Sequence, residues 1–100
     1  MKRNYIGKET LDFELKYYIL EEEVEVESSK YVGYGIEIEK QDNLRVEKSQ
    51  IKDITTDKKR IYYIVNLLMK NSVTPIHLHD VIEDILWKTS LSQIFPKLLE

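Results

Sequence analysis

The spacing of apolar residues changes near Thr56, and this change constrains the fold more than any other feature of the sequence. Before it, apolar and polar residues alternate, as is typical of strands with one buried face. After it, apolar residues recur every three or four positions, which predicts helices. We therefore expect an α+β domain in which helices cover one face of a sheet.

The alternating part predicts three strands joined by turns at residues 28–30 and 41–43. Val24 and Val26 fall on even positions, whereas the preceding apolar residues are odd. Either a β-bulge at residues 20–23 or a break between two strands would explain this reversal. Residues 51 and 54 would continue the third strand irregularly. The side chains expected to face the core are, strand by strand, Leu11, Phe13, Leu15, Tyr17 and Ile19; Val32, Tyr34, Ile36 and Ile38; and Leu44 and Val46.

The helical part predicts two helices. Thr56 or Asp57 can cap the first, which should end near Asn71. Thr74 followed by Pro75 predicts the start of the second. A short third helix, interrupted by Pro96, would form the tail. The prediction is a three-stranded antiparallel β-meander followed by two packed α-helices and a short C-terminal helical tail. The apolar positions are Ile61, Ile64, Val65 and Leu68; Leu78, Val81, Ile82, Ile85, Leu86 and Thr89; and Leu91, Ile94, Phe95 and Leu98.

Composition favours one globular domain. The chain has 100 residues, 42% hydrophobic and 33% charged, and we assign residues 1–98 to a single domain. The ending Leu99-Glu100 is typical of a cloning scar. The absence of cysteine excludes disulfides, thiolate metal sites and cysteine nucleophiles. No apolar run approaches the roughly 20 residues that cross a bilayer, and no signal-peptide core follows Met1. We expect a cytoplasmic protein.

The charges are distributed unevenly along the chain. Residues 9–27 carry eight acids and one base, whereas residues 40–60 carry seven bases and four acids. The simpler interpretation is that the two segments attract each other across the sheet. The alternative is a surface with two signs of charge that selects a partner.

The densest group of polar side chains contains His77, His79, Asp80 and Asp84. On a helix the two histidines lie about 200° apart, so they cannot bind one metal ion together. His77 with Asp80 and Asp84 on one helix face, or His79 with Glu83 on another, could supply two or three ligands, so a metal-dependent activity is a further alternative. We expect local hydrogen bonds there and predict no metal or other cofactor. The sequence also lacks a nucleophile-elbow motif and a phosphate-binding glycine loop. It therefore predicts a protein that is not an enzyme.

Two binding surfaces are candidates. Lys58, Lys59 and Arg60 begin the first helix, where free N–H groups favour an anion. The second helix is acidic, which disfavours nucleic acid. The tyrosines are the stronger candidate, because tyrosine is enriched at protein interfaces. We expect contact with a second copy or another protein through Tyr17, Tyr18, Tyr34, Tyr62 and Tyr63.

Four segments carry a resemblance to a known family: residues 17–22 (YYILEE), 34–38 (YGIEI), 51–55 (IKDIT) and 75–84 (PIHLHDVIED). Together they resemble small proteins of spore-forming Gram-positive bacteria that form a domain family of unknown function. The resemblance covers about residues 11 to 87 and implies a bacterial, cytoplasmic, single-domain protein. It implies no activity. We expect a small protein-interaction or regulatory module without catalysis, with anion or nucleic-acid binding as the alternative.

Overall fold

A computed structural model of the chain describes residues 1–94, with side chains up to Lys88. It shows four strands, then a helix, a single 3-10 turn and a second helix. The elements are β1 (Lys2–Thr10), β2 (Glu14–Val26), β3 (Ser29–Gln41), β4 (Val46–Thr55), α1 (Lys58–Lys70), the 3-10 turn (Pro75–His77) and α2 (Leu78–Ile94).

The four strands form one antiparallel sheet in the order β1-β2-β3-β4. The odd residues of β2 and the even residues of β3 point to one face, where they pack against the helices; we call this the covered face. The opposite side is the open face. The predicted burial of the odd positions is confirmed from Leu15 to Ile19, whereas Leu11 is exposed. The core consists of Leu15, Tyr17, Ile19, Ile36, Ile38, Ile61, Ile64, Val65, Leu68, Leu78 and Ile82.

The prediction of three strands is wrong, because β1 adds a fourth at one edge of the sheet. This strand has few apolar residues, and Tyr5 and Ile6 are adjacent rather than alternating. A β-bulge between Tyr5 and Gly7 shifts the register there, so a simple two-residue period is lost. The overall α+β class is correct.

The predicted bulge at residues 20–23 is also wrong. β2 and β3 pair without interruption from Glu14 opposite Gln41 to Val26 opposite Ser29. Val24 and Val26 occupy even positions because they lie beyond the core. Leu44 and Val46, expected to face inward, are exposed, Leu44 to 94%.

The predicted first helix is confirmed. Asp57 caps α1 by accepting a hydrogen bond from the backbone N–H of Lys59, and Asn71 is the residue after its end. Thr74 makes no side-chain capping bond, and Pro75 begins the 3-10 turn rather than α2 itself. α2 continues through Leu91 to Ile94, so no separate helix begins at Leu91. The rest of the predicted tail, Phe95 to Leu98, lies outside the described residues.

The last part of β4 folds over the open face of β3. Between Ile51 and Thr55 the register with β3 shifts, and Asp53 adopts φ +54°, in the left-handed region. The Ile51 carbonyl oxygen and the Lys52 Cα occupy the space where Gly35 would carry a Cβ. Only glycine lets the two strands approach this closely. This segment, residues 51–55, is the β4 bulge.

Candidate interaction surface

The hairpin of β2 and β3 extends beyond the rest of the sheet. The first residue of β1, Lys2, pairs with Glu21, and the last residue of β4, Thr55, pairs with Tyr34. Five further pairs, from Glu22 opposite Gly33 to Val26 opposite Ser29, therefore have no β1 or β4 neighbour. We call residues 22–33 the acidic arm. It is a two-stranded ribbon with both strand edges unpaired in the part of the chain that the structure describes.

The acidic arm carries four glutamates, Glu22, Glu23, Glu25 and Glu27, and one base, Lys30. Lys30 lies 3.7 Å from the carboxylate of Glu23. Among the described residues, no other base lies within ion-pair distance of an arm glutamate. Three carboxylates of the arm therefore have no cation partner within the described part of the chain. Exposed charges of one sign attract a partner of opposite sign and accelerate its association.

Apolar side chains also lie on the arm. Strand alternation places Glu22, Val24 and Val26 on the open-face side, and Glu23 and Glu25 on the other. Val26 is 54% exposed and Val32 is also exposed. The arm thus combines negative charge with accessible apolar area, which is the composition that a protein partner can bury.

The base of the arm is held by the β4 bulge. The Tyr31 hydroxyl donates a 2.8 Å hydrogen bond to the Asp53 carboxylate. This hydrogen bond, with burial and the charge of Asp53, raises the pKa of Tyr31. The Asp53 side chain also covers Gly33, where a Cβ would collide with it. The bulge therefore fixes the direction in which the arm leaves the sheet, while its tip remains exposed.

The five tyrosines predicted as one contact surface do not lie together. Tyr17 is fully buried, and its hydroxyl donates a 2.8 Å hydrogen bond to the carbonyl of Val73 in the loop after α1. Burial, followed by the charge of Glu9, raises the pKa of Tyr17. Tyr17 is therefore a core residue and not part of a contact surface. Tyr34 is half-buried against the covered face, whereas Tyr62 and Tyr63 are exposed on α1.

Tyr18 belongs to an ion-pair network on the open face that the sequence did not predict. The Arg3 guanidinium lies 3.5 Å from the centre of the Tyr18 ring, and Tyr5 packs edge-on against the same ring at 5.7 Å. Arg3 also donates hydrogen bonds to Glu37, at 2.6 Å, and to Glu39, at 3.2 Å. Glu37 is only 6% exposed. The network ties β1 to β3 across β2 and stabilises the edge of the sheet.

The charged segments predicted to attract each other lie mostly on β2 and β4, with β3 between them; Lys40, near the end of β3, is the exception, since it lies opposite Leu15 of β2. Glu14 of the acidic segment instead lies near Lys8 and Lys16, at 3.9 and 3.7 Å. Lys48 of the basic segment lies 3.7 Å from Glu39. These are partly exposed pairs, and such pairs contribute little to stability.

The basic start of α1 is a poor anion site. Lys58 and Lys59 are exposed, as an anion contact would require, and Arg60 is half-buried. However, the Asp57 carboxylate already accepts the hydrogen bond from Lys59 N at 3.0 Å. A phosphate approaching the helix terminus would meet this negative charge, so the geometry disfavours it.

The predicted polar cluster is spread over the surface of the 3-10 turn and α2. His77, His79 and Asp80 are exposed, and Asp84 lies 3.3 Å from Lys88. Within residues 1–88, where side chains are described, no three His, Asp or Glu side chains meet in a way that could hold a metal ion. His79 lines an open groove of about 500 Å³ between β4 and the 3-10 turn, together with Glu47, Lys48, Ser49, Pro75 and Ile76.

The membrane prediction can be compared with the helices. In the described residues, neither α1 nor α2 combines the length and the apolar composition that a membrane-spanning helix requires.

Comparison with known proteins places the chain in a family. No curated protein and no solved structure gave a match. The model of a family of unknown function, DUF6514, matches residues 1–88. This match starts before the resemblance seen in the sequence and includes β1, the strand that the sequence did not predict. Since it covers most of the chain, the protein belongs to the DUF6514 family of unknown function.

Proposed function

We propose that this domain is a protein-interaction module without catalysis of its own, and that the acidic arm is its contact surface. The resemblance to small proteins of spore-forming bacteria supports a cytoplasmic, bacterial setting for this role. The observation that carries the proposal is the extension of the β2–β3 hairpin beyond both neighbouring strands, with three carboxylates lacking a cation partner among the described residues.

An isolated two-stranded hairpin is only marginally stable in water. The β4 bulge compensates for this at the base of the arm, through the Tyr31–Asp53 hydrogen bond and the close approach to Gly35. A ribbon held rigidly at its base loses less conformational entropy on binding than a flexible loop would. The rigid base thus supports a role in recognition.

The charge of the arm supports a basic partner. Like charges close together on one surface repel each other, and a partner rich in lysine or arginine would relieve that repulsion. Nucleic acid has the same sign of charge as the arm and would be repelled. A basic protein segment is therefore the partner whose chemistry fits.

The proposal can be tested by capture experiments with two charge variants of equal size. The arm variant is Glu22→Gln, Glu23→Gln and Glu25→Gln. The control is Asp80→Asn, Glu83→Gln and Asp84→Asn, which removes the same charge from exposed positions of α2. Immobilised wild type, arm variant and control are incubated with a lysate of the source organism, and bound proteins are eluted with salt.

We expect proteins that the wild type and the control retain and the arm variant loses. Circular dichroism spectra should be the same for the three proteins, because the substituted side chains are not in the core. The same bound proteins on all three, or none on the wild type, would contradict the proposal.

A further inference from the structure

We propose that the acidic arm binds its partner by strand addition, in which a lysine-rich extended segment pairs with the unpaired edge of β2 at residues 22–26. This inference rests on the proposed interaction function and names the chemistry of the partner. It depends on three features of the arm: the edge, the order of side chains along it, and the protection of the other sheet edges.

The β2 edge at residues 22–26 continues as a regular strand after its neighbour, β1, has ended. β1 pairs with β2 as far as Glu21, and β2 continues in the same register with β3 to Val26. In an antiparallel sheet, alternate residues of an edge strand point their N–H and C=O groups away from the sheet. An added strand in line with β1 would bind these groups; at Glu22 it would displace Met1, which precedes β1, has no strand pairing and is 65% exposed. Five residues at about 3.4 Å each give an edge about 17 Å long.

The order of side chains defines the sequence that fits. Opposed residues on antiparallel strands lie on the same face, so each partner side chain meets one arm side chain. A strand running in the direction of β1 would meet Val26 first and then Glu25, Val24, Glu23 and Glu22. Apolar residues suit the two valines and lysines suit the three glutamates. The fitting segment reads Val-Lys-Val-Lys-Lys from its N-terminus.

The same charges disfavour a second copy of the chain as the occupant. Pairing two arms would place their glutamates against each other, and opposed like charges destabilise a strand pair. Charged residues on an edge strand also prevent aggregation. A second explanation of the glutamates is therefore that they protect the edge and bind no partner. The two explanations differ in one respect: an edge that is merely protected should not bind a basic strand in a defined register.

The outer edges of the sheet are less suited to strand addition. β1 has the bulge between Tyr5 and Gly7, which interrupts its register. A bulge of this kind hinders the pairing of another strand. β4 is regular from Val46 to Ile51, but this stretch carries one acid, Glu47, and one base, Lys48, so its charge does not select a lysine-rich strand. The arm provides the β2 edge with neither a bulge nor a balance of charge.

The test uses the full chain and a labelled peptide, acetyl-Lys-Val-Lys-Val-Lys-Lys-amide, whose last five residues are the fitting segment; its first lysine lies beyond the strand, because Glu27 is in the hairpin turn with φ +56°. The control peptide, acetyl-Val-Val-Lys-Lys-Lys-Lys-amide, has the same composition without the alternation. Binding is followed by fluorescence anisotropy at low salt. We expect the alternating peptide to bind about tenfold more tightly than the control, from the added cross-strand pairs.

Two peptides methylated on alternate backbone nitrogens test the hydrogen bonds directly. One has its methyl groups on the residues whose N–H groups face β2, and the other has them on the remaining residues. Strand addition predicts that one peptide loses binding and the other retains it. The Glu22, Glu23 and Glu25 to Gln variant should weaken binding of the alternating peptide about tenfold, whereas the α2 control variant should not.

Equal binding of the alternating and grouped peptides, or of the two methylated peptides, would show attraction by charge alone and would overturn strand addition. Absence of peptide binding would overturn it as well. The proposed function is judged separately by the capture experiment. Proteins lost with the arm variant, together with no register-dependent peptide binding, would leave the interaction function standing and reject strand addition.

Discussion

Replacing Gly35 with alanine should destabilise the domain more than the same change at its other two glycines. A Cβ at Gly35 would fall on the carbonyl oxygen of Ile51 and lie 2.8 Å from the Lys52 Cα, closer than the 3.0 Å that real Cβ atoms keep. Both contacts are with backbone, so no side-chain rotation relieves them. The β4 bulge must move away from the open face.

The expected magnitude follows from two opposing contributions. Overpacking typically destabilises by about 1–3 kcal/mol, occasionally more. Alanine is better than glycine in a strand by about 0.5–1 kcal/mol. Because the overlap involves two rigid backbone atoms, the upper part of the first range applies, and we expect a net loss of about 2 kcal/mol. For a domain of this size that lowers the Tm by about 8–16 °C.

Gly33 and Gly7 provide matched controls. A Cβ at Gly33 would meet the Asp53 carboxylate, which can rotate away at the expense of its hydrogen bond with Tyr31. At Gly7 it would lie 3.0 Å from the Met69 sulfur, the flexible end of a side chain. We expect Gly33→Ala to lie within about 1 kcal/mol of wild type and Gly7→Ala to be nearly neutral.

Urea unfolding followed by circular dichroism measures all three variants. The midpoint for Gly35→Ala should fall while the slope stays constant, because the surface exposed on unfolding is unchanged. A Gly35→Ala variant as stable as the wild type, or less affected than Gly7→Ala, would show that the β4 bulge does not pack on β3 as described.

Three further substitutions test other contacts by the same unfolding measurement. Tyr17→Phe removes the hydroxyl that donates to Val73 O and should destabilise by about 1–2 kcal/mol. Because burial and the charge of Glu9 raise the pKa of Tyr17, the folded wild type keeps a proton that the unfolded chain loses above a pH of about 10. Its stability should therefore fall as the pH rises past about 10, and Tyr17→Phe should lack this part of the fall; equal slopes would refute the assignment. Arg3→Met leaves the Glu37 carboxylate, 6% exposed, without its main cation, and should destabilise by about 1–3 kcal/mol. Adding Glu37→Gln to that variant should restore part of the loss, and no restoration would mean that Arg3 acts through packing alone. Asp57→Ala removes the cap of α1 and should destabilise by about 1 kcal/mol, whereas an unchanged midpoint would show that the cap is dispensable.

The parts of the fold that the sequence predicted are those with a continuous buried face. Leu15, Tyr17 and Ile19 alternate because the covered face of β2 packs on the helices. Ile61, Ile64, Val65 and Leu68 recur at helical spacing for the same reason. In both elements burial selects apolar residues at a regular period, so the pattern is visible in one sequence.

The parts that it missed have no such face. β1 lies at an edge of the sheet, and its bulge between Tyr5 and Gly7 shifts the register. Its apolar residues therefore follow neither the two-residue period of a strand nor the period of a helix. The acidic arm alternates valine with glutamate on a ribbon beyond the core. In the sequence, this alternation looks the same as a buried strand in which the register changes. Leu44 and Val46 are apolar yet exposed. Residue type alone could not separate them from core positions, because many exposed residues are apolar.

The candidate site was predicted only in part. The excess of acids between residues 9 and 27 was visible in the sequence, but their grouping on an unpaired hairpin depends on where β1 begins and β4 ends. The predicted tyrosine surface does not include Tyr17, which is buried. A strand tyrosine whose hydroxyl has a buried partner has the same local sequence pattern as an exposed one. Likewise, the approach of Arg3 to Glu37 depends on a strand pairing that local patterns do not contain.

Amide hydrogen exchange of the full chain, with and without the alternating lysine–valine peptide, locates the bound strand residue by residue. Strand addition predicts that the peptide slows exchange at alternate residues of 22–26, since only those whose N–H groups point away from β3 gain a partner. Amides of α1 that exchange through global unfolding should slow together, by the stabilisation that binding gives, and should show no alternation. No slowing in the arm at peptide concentrations that saturate binding, or slowing centred on β4 or on the start of α1, would rule out strand addition at the β2 edge.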